Sequence, residues 1–161
     1  MSQITENLYQ MSESIKAAQS KCNPNLKKLF YSCPEDFVLQ NGRDYTPKPL
    51  DKNKYKYGKV SQCFYNTCML VLKFPELNYT EGFVRLNRGL TILHAWAVDN
   101  TDVIDNTLRW SKDDFPVCYR GIVFSNQFVI DSHRQKGYSF SLIGNWQEGF
   151  PLLQEKFTPV N

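Results

Sequence analysis

The chain has 161 residues, 42% of them hydrophobic and 22% charged, with a net charge of +3. That length predicts one domain, and that balance is of a globule with a real core rather than a disordered chain. No run nears the roughly 20 apolar residues of a bilayer span; an odd number of cysteines without a CxxC pair, and only two histidines, argue against a disulfide framework and a zinc site.

Ile4, Leu8, Met11, Ile15 and Ala18 recur at steps of four and three, which predicts an amphipathic helix over residues 3–20. Asn23-Pro24-Asn25 should end it, and a second short helix is expected at Leu26–Tyr31. A Ser32-Cys33-Pro34 turn and an apolar patch at Phe37–Leu39 follow. Residues 40–58 read as loop. Residues 42–59 hold six Lys/Arg against Asp44 and Asp51, a local excess of four positive charges. This stretch is a solvated loop or a docking surface for an acidic partner. Nucleic acid is disfavoured, because the net charge is modest and no recognition motif is present.

Val60–Lys73 lacks Gly and Pro and reads as a buried helix, with Ser61 as its N-cap. Tyr79–Arg85, Thr91–Val98, Val103–Thr107 and Val117–Phe124 read as strands, parted by Asn87-Arg88-Gly89 and Asp99-Asn100. Gln127–Lys136 has a helical pattern, with His133 expected at the surface. The fold class is α+β, a buried core helix packed on an antiparallel meander, behind a helical N-terminal extension. Within a single domain, residues 1–57 form the extension, 58–125 the core and 126–161 a C-terminal extension. The opening residues MSQITENLYQ lack the order of a secretory signal, so a cytoplasmic location is expected.

Cys63 falls in the first turn of the core helix, where unpaired N–H groups and the helix dipole favour a negatively charged sulfur and can receive an oxyanion. Cys68, deeper in the same helix, reads as a core residue. Strand alternation puts Ile92, His94, Trp96 and Val98 on one face. A two-residue turn at Asp99-Asn100 would pair His94 with Asp105. A loop over Asp99–Asp102 would instead make Asp105 a diagonal neighbour on the same face, while an odd loop would bring Asn106 there. Cys63, His94 and Asp105 thus form a candidate nucleophile–base–orienter triad, with Asn106 in reserve. Gln62, Glu81, Trp96 and Arg120 are candidate substrate contacts. Glu81 has the alternative of pairing with Arg85 or Arg120, and Trp96 that of packing in the core.

Ser61-Gln62-Cys63-Phe64, His94-Ala95-Trp96 and Val103-Ile104-Asp105-Asn106-Thr107 resemble, in order, the nucleophile, histidine and aspartate motifs of transglutaminase-like, papain-like cysteine enzymes. Asn106 stands where that family has Pro, and 31 residues separate Cys63 from His94, so the core would be compact. The resemblance covers residues 58–110. It implies a cysteine-dependent hydrolase or acyltransferase acting on a protein, a peptide or a small amide, with no metal or organic cofactor. The alternative is a catalytically silent binding module of the same fold.

Overall fold

A computed structural model describes residues 2–22, 29–136 and 140–158. Helix α1 spans Gln3–Cys22 and buries Ile4 and Leu8 completely. The expected stop at Asn23-Pro24-Asn25 and the first half of the second helix lie outside the described residues, and Leu29–Tyr31 are not helical. A helix α2 forms instead at Pro34–Asn41. Pro34 at its start has no N–H to waste, and Glu35 and Asp36 face the positive helix end. Asp36 accepts from the Ser32 N–H at 3.0 Å and hydroxyl at 2.9 Å. The expected loop after it contains a short strand β1, Arg43–Tyr45.

The core helix α3 is Cys63–Lys73, three residues shorter at its start than expected. Gln62, not Ser61, is its N-cap, and Ser61 adopts a left-handed φ of 61°. The cause is Asn66. Its side chain accepts from the Lys59 N–H at 3.2 Å and donates to the Lys59 carbonyl at 2.7 Å. That clamp draws residue 59 alongside the first turn, and the chain must reverse at Ser61 to enter the helix.

Strands β2 (Asn78–Leu86), β3 (Thr91–Asp99), β4 (Asp102–Ile104) and β5 (Pro116–Phe124) complete an antiparallel sheet of order β1-β5-β2-β3-β4. It is not a simple meander, because β5 returns to the far side of β2. The β3–β4 turn is Asn100-Thr101, with Asp99 opposite Asp102 and Val98 opposite Val103. The register therefore slips by two from the simplest expectation, and Asp105 falls diagonally from His94. An even slip preserves the face.

Each sheet face has its own core. Cys68, Leu70 and Val71 of α3 pack with Tyr79, Phe83, Ala95, Ala97 and Ile122 on one side. Tyr45, Val84, Trp96, Val98, Val103 and Tyr119 pack on the other. Gly82 lies opposite Gly121 between β2 and β5. A Cβ on Gly121 would come 2.5 Å from the Trp96 ring, so glycine there admits the indole. Helix α4, Asn126–Lys136, follows β5. His133 on it is buried rather than at the surface, its ring against Tyr79 and Phe140, and burial pushes its pKa down. Two single 3-10 turns, Trp146–Glu148 and Pro151–Leu153, carry the chain onward. No described helix is long and apolar enough to cross a membrane.

Candidate active site

Cys63 is the first residue of α3 and is half-buried. The first helical bond runs from Asn66 N–H to the Gln62 carbonyl at 2.8 Å. The N–H groups of Cys63 and Phe64 precede it and have no helical acceptor.

His94, in the middle of β3, is buried, and its Nε2 lies 2.7 Å from Asp105 Oδ2. Asp105 stands just beyond the end of β4, where the chain leaves the ladder and curls. That curl lets Oδ1 accept from the backbone N–H of Thr107 at 2.8 Å and of Leu108 at 3.0 Å. Oδ2 accepts a further bond from the Tyr119 hydroxyl at 2.9 Å. Burial alone would push the Asp105 pKa up, but the His94 charge and these donors hold it below the usual carboxylate range. For His94 burial works downward, and the Asp105 charge and hydrogen bond, with Cys63 adding to them, lift the imidazole to about 10. Both shifts favour the imidazolium–carboxylate form of the pair.

Cys63 bears on the ring although the body of α3 covers the opposite sheet face. They meet at the sheet's edge. Strand β4 pairs only with Ala97–Asp99, so the earlier part of β3, paired with β2 on one edge, has no strand on the other among the described residues. The segment 105–107 and the first turn of α3 lie along that gap. Asn66 donates to Thr107 Oγ1 at 2.9 Å, and Asn106 donates to the Asn66 carbonyl at 3.4 Å. Asp105 occupies His94 Nε2, which leaves Nδ1 for the sulfur. Asn106, the reserve orienter, ties this segment to α3 instead.

Trp96 is fully buried and stacks on His94 with 16° between planes and 6.3 Å between centroids. It fixes the ring plane and is walled off from solvent. Gln62 is exposed beside Cys63 and makes no capping bond. Two other candidates are not at this site. Glu81 points to the α3 face and is fully buried. It accepts from the hydroxyls of Tyr79 and Ser141 and from the N–H groups of Leu142 (3.0 Å) and Ile143 (2.9 Å), and pairs with neither arginine. Its burial raises its pKa despite those donors. Arg120, opposite Phe83 on that same face, is spent on Asp44 at 2.6 Å and the Leu39 carbonyl at 3.0 Å, joining α2 and β1 to β5.

Tyr119 joins the site through Asp105, a role that sequence reasoning did not assign it. Its phase within β5 marks it, but that is useful only once β5 is known to lie beside β2. The basic stretch 42–59 is partly used internally: Lys48 pairs with Asp102, and Arg43 bonds the Tyr45 hydroxyl and the Asn100 carbonyl. Among the described residues no cluster of His, Cys, Asp and Glu could hold a metal ion.

No family model matches the chain, and no curated protein or solved structure is significantly similar to it.

Proposed function

We propose that this chain is a cysteine-dependent hydrolase or acyltransferase with a transglutaminase-like, papain-like core. Cys63 is the nucleophile, His94 the proton carrier and Asp105 its orienter. One observation carries the reading: a buried His94 is held by Asp105 at 2.7 Å through one ring nitrogen, with a helix-starting cysteine acting on the ring.

The chemistry follows from that arrangement. The Cys63 sulfur attacks the substrate carbonyl, a C–S bond forms, and the carbonyl electron pair moves to oxygen. The N–H groups at the start of α3 receive that oxyanion. As it collapses, His94 gives its proton to the leaving amine and the C–N bond breaks. Water or a second amine then attacks the thioester, gives a proton to His94, and releases the sulfur. Asp105 keeps the imidazole in one orientation and favours its charged form throughout.

A thiol-reactive acyl probe tests this. It should modify Cys63 much faster than Cys68, whose thiol burial pushes up to about 11, and only while His94 is present. Slow, equal labelling of both cysteines that ignores His94→Ala would overturn the proposal.

A further inference from the structure

Two segments meet beside the proposed site, and neither brings an unspent acid. From Lys52 to Pro75 the chain has five lysines and no Asp or Glu. From Asn106 to Lys112 it has Arg109 and Lys112, again with no acid. The Gly58 N–H donates to the Asn106 carbonyl at 2.8 Å, which joins the two. Lys59 is clamped through its backbone to Asn66, one helical turn from Cys63. Arg109 follows Leu108, whose N–H holds Asp105. One cation thus stands four positions before the nucleophile in the chain and another four after the orienter.

Arg109 is not loose. Its guanidinium lies over the Tyr57 ring, 5.2 Å from the centroid. Stacking by one face leaves the N–H edge of a guanidinium open to a planar anion. Lys59 and Arg109 are exposed, and neither forms an ion pair among the described residues. Elsewhere Lys48, Arg88, Arg120 and Lys136 are paired with carboxylates, whereas Lys56, Lys73 and Arg85 form no ion pair among the described residues. Asp105, the acid next to this rim, already accepts four bonds. Unpaired cations around a cleft raise the local concentration of anions.

We propose that the site selects an acidic substrate, an amide or acyl donor with a carboxylate near the scissile carbonyl, bound by Arg109 with Lys59 as the second cation. This rests on the reading of Cys63 as the reactive centre.

The experiment alkylates the full-length chain with iodoacetate and, in parallel, iodoacetamide, and follows the Cys63 peptide by mass spectrometry. In each reaction the sulfur displaces iodide, one C–S bond forming as one C–I bond breaks; only the probe's charge differs. The rate ratio, anionic over neutral, should exceed that of Cys63 in the denatured chain and fall as salt is raised. The His94 imidazolium also attracts iodoacetate, so the deciding comparison keeps His94 intact. Arg109→Gln should lower the ratio roughly fivefold, the value of one opposite charge at contact distance in water. Arg109→Lys should retain most of it, and Lys59→Gln should lower it less. A ratio unchanged by salt, or by Arg109→Gln combined with Lys59→Gln, would overturn the proposal. Failure of the enzyme reading is separate: labelling of Cys63 indifferent to His94→Ala removes catalysis, while the charge ratio is still read on the same peptide.

Discussion

Four donors converge on the buried carboxylate of Asp105: the His94 ring, the Tyr119 hydroxyl and the N–H groups of Thr107 and Leu108. Asp105→Ala orphans all of them and leaves a buried imidazole without its counter-charge. Breaking such a pair costs about 3–5 kcal/mol, to be read from denaturant midpoints. Tyr119→Phe removes one charge-assisted bond and should cost about 2 kcal/mol; it should also shift the His94 titration seen by NMR, which loss of packing alone would not. The pH dependence has a definite sign. The His94 pKa rises from 6.5 to about 10 on folding, so its contribution is complete below about 6.5 and is lost as pH climbs through about 10. The Asp105 pKa falls below 3.8, so its contribution holds above that value and is lost as pH drops through the folded pKa. The stability gap between the wild type and His94→Gln should therefore be widest near pH 5 to 6 and shrink towards pH 10.

Among the elements, the periodic ones were legible. Helices α1, α3 and α4 and strands β2, β3 and β5 each carry enough turns or alternations for pattern to dominate. Helix α2 and strand β1 were not, having eight and three residues; their stability comes from partners distant in sequence, through Arg120 for instance. The same reason explains the misplaced side chains. Glu81, Arg120 and His133 find their partners on segments whose position depends on β5 returning to β2, and nothing local announces that. The face shared by His94 and Asp105 was readable because parity survives an even change of register. The glycine pair between β2 and β5 yields a sharp prediction. A Cβ at residue 82 would sit 2.2 Å from the Arg120 carbonyl and one at residue 121 would strike Trp96. Gly121→Ala should cost about 1–3 kcal/mol by overpacking, and should loosen His94 by displacing the ring stacked on it. Near-ultraviolet circular dichroism of Trp96 would report the shift.

Across the whole molecule, Glu81 has a structural task. It fastens Ser141–Ile143, and so the segment after α4, to the centre of the sheet. Glu81→Ala should leave these donors unsatisfied and speed amide hydrogen exchange at Leu142 and Ile143 far more than at the β2–β5 ladder, which mass spectrometry can resolve. His94 follows Cys63 by 31 positions, and Tyr119 comes later still. In a chain made from its N-terminus, domains fold as units once enough has emerged. Cys63 therefore leaves the ribosome well before the strand that carries Tyr119. During synthesis it has neither the carboxylate-held imidazole nor the paired β5 that keeps that carboxylate in place. Under the proposed function, completion of the sheet is therefore what gives Cys63 its base and orienter, and a truncated or stalled chain would carry the same cysteine without them.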